Sequence, residues 1–433
     1  MAKHNSWDLQ QMQSLPLEAK IRMTQQRINI WVESWKRYGI RNKKTGKIRY
    51  VTDTEEPTEK GHYIEQEREK GGQTIIVKKL RPGTKLKANE YVDTVENGKA
   101  YVSRSGGKDS DVLGDIVKNM GLDIEHIFIN TGLEDRSVRI HGEEVADKTV
   151  RPDMPFSKVI QKYGYPVISK EVAQCVYELQ KSRDKGVEEG KNYSYRMKKL
   201  NGELRRKDGT LSEYNMPKWK FLLYAPFRIS HKCCDESKKK PAKKYEKESG
   251  NMAILGTMAE ESRLRKSKWQ KSGCNAFELD RPTSQPLSFW TEQDILEYIA
   301  TRNIEIAKAY GNVVYEDKKF TTTGRKRTGC VFCLFGIMAD KERIADLQIR
   351  DPQLADYVLR GGEFGKDGYW QPTNKGLGYW FIIEWLNIHG LGIVYYKDID
   401  YAEIYGNDRT REIMTKERIK VKMRKGGESH CTN

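Results

Sequence analysis

The chain has 433 residues, with 78 Lys and Arg against 61 Asp and Glu, a net charge of +17 and seven cysteines. That length buries a substantial core and predicts two or three domains. No run approaches the ~18 apolar residues of a membrane span, and Met1-Ala2-Lys3-His4-Asn5 lacks the apolar segment of a signal peptide, so the expected setting is cytoplasmic. The excess of cations favours a polyanionic partner, either nucleic acid or a phosphorylated small molecule, against the plainer alternative of a solvated basic surface. Cysteines in a reducing compartment point to metal or redox chemistry where they cluster, rather than to a disulfide framework.

In chain order, residues 1–36 hold a helix over Leu17 to Trp35, with Ile21, Ile28, Ile30, Trp31 and Trp35 on or near one face. It is expected to pack beside a nucleotide-binding domain; a nucleic-acid platform is the lesser reading. Residues 37–97 change character. Turn signals such as Pro82-Gly83 and runs such as Thr74-Ile75-Ile76-Val77 predict a small β-rich insertion.

An α/β core is predicted over 98–300, opening with the strand at 98–104. Next comes Ser105-Gly106-Gly107-Lys108-Asp109-Ser110, which enters a helix. Two glycines let the backbone turn tightly and approach a ligand. The N–H groups of the turn and helix start then converge where a phosphate is stabilised, and Lys108 adds a point charge. A bare Gly-Gly would mark only a turn; the whole string after a strand predicts a phosphate loop. Glu125 to Asn130 is a second buried strand, ending in Thr131-Gly132. In parallel sheets ligands sit beyond the carboxyl ends of strands, where both motifs fall.

Further along, Pro166 to Ser169 reads as a short strand and residues 181–210 as a basic, mobile excursion. Asn251 to Thr257 reads as a core strand whose polar continuation carries Arg263 and Arg265, two guanidinium groups able to grip an anion. Thr291 caps a helix, with no chemistry assigned to it. A segment at 301–350 holds Cys330-Val331-Phe332-Cys333, and 351–433 is an aromatic, then basic, α-rich C-terminal region.

Cys330-x-x-Cys333 lets two thiolates enter one site from a single turn, and two of Cys233, Cys234 and Cys274 would complete four soft ligands, suited to zinc or to a [4Fe–4S] cluster. Cys175 lies in an apolar helix and reads as a buried hydrophobe. The role of Cys431 is open.

Ser105 to Ser110 resembles the SGGxDS loop of the PP-loop adenine-nucleotide superfamily. Lys232-Cys233-Cys234 with Lys238 to Pro241, and Gly256 to Arg263, resemble segments of its phosphoadenosine phosphosulfate (PAPS) reductase family, in its cluster-bearing bacterial and phage branch. The resemblance implies a PP-loop α/β fold with a parallel twisted sheet and flanking helices. It implies an adenine nucleotide (ATP, PAPS or APS) at Ser105–Ser110, Thr131, Gly132 and Gly256, with Lys108, Asp109, Arg263 and Arg265 catalytic. It favours a [4Fe–4S] cluster over zinc at Cys233, Cys234, Cys330 and Cys333, with Cys274 as a fifth candidate, and is compatible with Mg²⁺ beside the nucleotide. Arg104, where the family has a neutral or aromatic residue, is expected to add positive charge beside the phosphates. The C-terminal Glu-Cys-Gly-x-His of assimilatory reductases has no match, since Glu428-Ser429-His430-Cys431 has another order. The implied activity is sulfonucleotide reduction or sulfur transfer. One alternative is ATP-pyrophosphatase-type sulfur transfer to nucleic acid; another is a non-catalytic nucleic-acid-binding regulator. Expected partners are the nucleotide, a sulfur- or electron-donor protein and, in the alternatives, nucleic acid; a homo-oligomer is compatible with the sequence.

Overall fold

The computed structural model describes residues 4–70, 73–97 and 99–428. The chain forms two compact units, Met1–Pro152 with Lys238–Thr328, and Asp153–Ser237 with Gly329–Asn433.

The first unit is built on a six-stranded sheet in the order Asn275–Ala276, Thr283–Ser284, Met252–Leu255, Ala100–Arg104, Glu125–Ile129, Lys148–Val150. All neighbours are parallel except the first pair, at the edge. Ala100, Tyr101 and Val102 are all buried, as a parallel strand covered on both faces requires. This is the mixed α/β fold with a mostly parallel sheet that the sequence predicts.

The helix Lys108–Asn119 follows the first core strand and buries Val112, Leu113, Ile116 and Val117. They join one core with Ile28 and Trp31 of the helix Leu17–Glu33, with Trp35 just beyond it, and with Trp290. Trp31 and Trp35 are fully buried and pack on Phe277. Their burial excludes them as a platform for bases; they serve the core.

Beneath the same helix lies a buried ionic group. Arg104 pairs with Asp111 at 2.8 Å, and His141 reaches the other carboxylate oxygen at 3.0 Å. Burial depresses the His141 pKa, but the hydrogen bond and charge of Asp111 outweigh it and the net shift is upward. The expectation for Arg104 is therefore corrected: its charge is spent within the core on Asp111.

The insertion is β-rich, as expected. Lys36–Asn42 pairs antiparallel with Ile48–Asp53 and Glu90–Asn97, and Tyr63–Lys70 forms a hairpin with Gln73–Leu80. Tyr38, Ile40 and Val51 form its small core.

The second unit is mostly helical around buried aromatics, among them Tyr165, Phe227, Trp370, Tyr379, Phe381 and Trp385. The strand expected at 166–169 exists as Val167–Ile168, but it pairs with Leu334–Phe335 and takes no part in the central sheet. Within 181–210, expected as a basic, mobile excursion, two helices account for 181–184 and 191–201, while 185–190 and 202–210 hold no helix or strand. Lys170–Asp184 and Lys191–Asn201 are helices; Leu200 is buried, Lys199 pairs with Glu171 at 2.6 Å, and Gly202 ends the second in a left-handed conformation. The basic tail is the helix Asp408–Glu428, with Glu412–Lys416 and Glu417–Lys420 pairs at helical spacing. His430 and Cys431 lie outside the described residues. Among the described residues no helix is long and apolar enough to cross a membrane.

His126, on the strand beside the loop strand, is buried, and burial with the Arg104 charge lowers its pKa from 6.5 to about 4. It is neutral in the fold, whereas the unfolded chain takes up a proton near pH 6.5. Its contribution is complete above that pH and is lost as pH falls towards 4, by up to about 3 kcal/mol. Urea midpoints at pH 7 and pH 4.5 should therefore drop more in the wild type than in His126→Gln; equal drops would contradict this assignment.

Candidate functional site

The central sheet changes direction at the Ala100–Arg104 strand. The chain leaves it through the loop and helix to Glu125–Ile129 on one side, and Met252–Leu255 lies on the other. This is a topological switch point, where the carboxyl ends of parallel strands leave a crevice for ligands. The segments beyond both strands, Ser105–Gly107 and Gly256–Met258, meet there.

Their meeting is close. Gly106 adopts φ +67°, and a Cβ on it would strike the Val138 carbonyl. Gly256 lies against the helix start, where a Cβ would come within 2.9 Å of the Asp109 carbonyl oxygen. Both positions therefore require glycine, one for conformation and space and the other for space alone. Gly107 is the N-cap of the helix, with no side chain to cap it. Ser110 ties the turn together, its Oγ accepting from the Ser105 N–H at 3.2 Å and donating to the Gly107 carbonyl at 2.7 Å. The helix dipole and first-turn N–H groups give this corner a partial positive charge.

Lys108 is buried, and its ammonium is already engaged. It lies 3.3 Å from a Glu292 carboxylate oxygen, 3.7 Å from Asp109 Oδ1, and donates to the Lys326 carbonyl at 3.2 Å. The Tyr310 hydroxyl bonds Thr328 Oγ1 at 2.6 Å and lies beside Gly107; burial pushes its pKa up to about 12, so it stays protonated. The Asp109 pKa is raised by burial, with Glu292 adding to the rise and Lys108, Arg265 and Arg327 opposing it. Asp109 Oδ1 and Thr257 Oγ1 are buried polar atoms with no hydrogen-bond partner. Such atoms are costly unless a ligand or water satisfies them.

Arg263 and Arg265 occupy the first turn of the helix Arg263–Ser272, capped by Ser262. Arg265 pairs with Glu261 and feels the Asp109 charge, whereas Arg263 is exposed. Thr131 and Gly132 end the neighbouring strand. Thr131 Oγ1 donates to Glu134 at 2.6 Å, and Gly132, at φ +73°, is exposed with open space around it. Sequence reasoning missed Glu292, Tyr310, Arg327 and Thr328. Glu292 stood in a segment read only as a helix cap. The run Arg325-Lys326-Arg327 before Cys330 was a legible basic signal that went unused.

A cavity of about 670 Å³ opens at the opposite, amino ends of these strands, lined by Lys99, Ala100, Glu125, His126 and Asn251 among others. It is separate from the phosphate-loop corner.

In the second unit, Cys233 and Cys234 have sulfurs 4.0 Å apart, followed by a π-helical turn at Asp235–Lys239. Cys330 and Cys333 share one tight turn, with the Cys333 N–H donating to the Cys330 carbonyl at 3.1 Å. The Phe335 N–H donates to Cys333 Sγ at 3.4 Å. The Cys233 pKa is raised far above an ordinary thiol by its hydrogen bond with Cys234, by burial and by the other three cysteines. Burial and the Cys330 charge push Cys333 up to about 12. These four side chains thus lie within one electrostatic neighbourhood and are soft donors, the type a metal–sulfur cluster takes. Among the described residues, no three His, Cys, Asp or Glu side chains are arranged to hold a metal ion. Cys274 belongs to the first unit, buried in its core and receiving the Ser288 hydroxyl at 3.3 Å. Cys175 is buried, its thiol pushed up to about 11 by burial.

The family model of the phosphoadenosine phosphosulfate reductase domain matches residues 190–333. The matched stretch includes Cys233-Cys234, Gly256 to Arg265 and Cys330-x-x-Cys333, and supports a PP-loop, sulfonucleotide-related function; the loop at Ser105–Ser110 precedes it. No curated protein matches the chain.

Gly106→Ala introduces both a strained φ and a clash, and should cost about 1–3 kcal/mol of stability. Gly256→Ala, with no conformational strain, should cost less. Urea titrations read both changes; a loss in Gly106→Ala no larger than in Gly256→Ala would contradict the conformational requirement at Gly106.

Proposed function

We propose that the chain is a nucleotide-using enzyme of PAPS-reductase type that seats the phosphate or sulfonate end of an adenine nucleotide on Gly106–Asp109. The observation that carries this reading is the helix start held at the switch point by two obligatory glycines, with Asp109 Oδ1 and Thr257 Oγ1 unsatisfied beside it. Backbone N–H groups there would stabilise charge on the transferring group without reorganisation.

Lys108 acts as a buried point charge that Glu292 holds until an anionic ligand competes for it. Arg265 and Arg327 add positive potential near Asp109. Asp109, whose Oδ1 no hydrogen bond engages, would be the carboxylate to hold a Mg²⁺ accompanying the nucleotide. Thr131 and Gly132 supply a polar wall beyond the next strand. Arg263, exposed at its helix start, is the outer of the two arginines.

Cys233, Cys234, Cys330 and Cys333 would be the residues to hold a [4Fe–4S] cluster, with zinc the alternative; when bound, such a cluster would supply electron-transfer or electrostatic chemistry. Cys274 is left out of this set because the core of the first unit holds it.

Two reactions fit the loop. In sulfonucleotide reduction, two electrons from a donor protein release sulfite from activated sulfate. In sulfur transfer, an acceptor oxygen attacks the α-phosphorus of ATP and pyrophosphate leaves; a sulfide-level sulfur from a donor protein then attacks the activated acceptor atom and AMP leaves with the oxygen. The +17 charge favours a nucleic-acid acceptor for the second.

Anaerobically purified protein, analysed for iron, labile sulfide and zinc, should be incubated with ATP, APS and PAPS while sulfite and pyrophosphate are followed. Sulfite selects reduction; pyrophosphate alone selects sulfur transfer. Lys108→Ala and Asp109→Asn should each reduce either product about 100-fold or more. Turnover that survives both changes would overturn the site.

A further inference from the structure

The second unit carries a surface that the nucleotide site does not explain. Between residues 181 and 224 there are twelve Lys and Arg against six Asp and Glu. Lys185, Lys191, Lys198, Arg205, Lys207 and Lys218 are exposed there. Exposed aromatics lie among them: Tyr195 is 48% accessible, Tyr214 56% and Tyr224 62%. Large aromatic rings are costly to leave in water, so three on one short basic stretch call for a partner with both apolar faces and negative charge.

The segment is folded, which fixes these side chains in relation to one another. After the helix Lys191–Asn201 the chain turns back on itself, closed by the Arg205–Leu211 bridge. Asn215 clamps the Leu204 backbone through both its amide atoms, and the Met216 N–H returns to the Lys199 carbonyl. Lys199 consequently lies between two rings, its ammonium 5.9 Å from the Tyr195 centroid and 5.7 Å from that of Tyr214. Glu171 anchors that ammonium at 2.6 Å. Both tyrosines are thus set on a fixed mount, with their rings open to solvent.

We propose that this face of the second unit, centred on Tyr195 and Tyr214, binds single-stranded nucleic acid. Unpaired bases stack on the tyrosines, and the surrounding lysines and arginines track the phosphates. Stacking needs bases freed from a duplex and tolerates any sequence, and backbone contacts add a salt-dependent term. A protein partner with an acidic surface would satisfy the cations but leave the rings without the planar stacking that their exposure favours.

The proposal is independent of the phosphate-loop reading, and the experiment keeps the two apart. Fluorescence anisotropy of the full chain, without added nucleotide, is measured with labelled single-stranded DNA and RNA oligomers of mixed sequence and with a DNA duplex. The expected result is tighter binding to single strands than to duplex, with affinity falling as salt rises. The DNA and RNA arms show which sugar is preferred. Tyr195→Ala and Tyr214→Ala should each weaken binding about tenfold, and Tyr195→Phe should restore it, since the ring and not the hydroxyl stacks. Lys198→Glu with Arg205→Glu should lower the affinity and flatten its salt dependence. Lys108→Ala should bind the oligomers as the wild type does, and the tyrosine variants should keep wild-type ATP binding. Duplex preference, or tyrosine variants with unchanged affinity and intact circular dichroism, would overturn the proposal.

Discussion

The first unit depends on how closely two backbone segments approach at the start of the helix Lys108–Asn119. Gly256 lies on the Asp109 carbonyl from one side, and Gly106 turns under Val138 from the other. A side chain at either place would push the helix start out of the crevice. Because the Met252–Leu255 and Ala100–Arg104 strands are hydrogen-bonded neighbours, the same approach fixes the segments that leave them. Ser105, Thr257 and Asp109 are therefore placed by the sheet rather than by a flexible loop, and a rigid scaffold is what preorganised charge stabilisation needs.

Electrostatics adds a second layer to that geometry. Below the helix, Arg104, Asp111 and His141 form a buried charged group away from solvent. Such groups rarely add net stability, because desolvation offsets the attraction, but breaking one leaves a buried charge and is strongly destabilising. The group therefore makes the helix orientation costly to change. Above it, Lys108 is balanced by Glu292 and Asp109. An anionic ligand on the proposed site would have to displace part of that balance, so its affinity would reflect a competition between carboxylates and phosphate for one ammonium.

Much of this was legible in the sequence, and the exceptions have physical causes. The strand–glycine–helix string and the apolar runs at Ala100–Val102 and Ile127–Ile129 declared the sheet directly, because buried parallel strands read as continuous apolar segments. The helix cap at Thr291 appeared as expected, completed as a capping box by Asp294. Arg104 was misread because a strand position shows only which face a residue takes, and the Asp111 that neutralises it comes seven residues later, beyond the glycine turn, in the first turn of the next helix. The helix Lys191–Asn201 escaped because its surface is charged on nearly all sides, and its few buried contacts, Lys199 and Leu200, carry too little periodicity to reveal it. Glu292 and Tyr310 reach the loop from distant parts of the chain, where no local spacing could announce them.

The same excess of positive charge takes two physical forms. At the loop, Lys108 is buried and paired, so its interactions are little screened by salt and act over a few ångströms. Between 181 and 224 the cations are mostly exposed, where each contributes little singly and the sum falls steeply with ionic strength. A buried cation suits one defined phosphate or sulfonate; an exposed field interleaved with open tyrosine rings suits a polymer of repeated charge and repeated planar faces. Net charge alone could not separate these, since burial, and not the number of lysines, decides which kind of anion a cation can select.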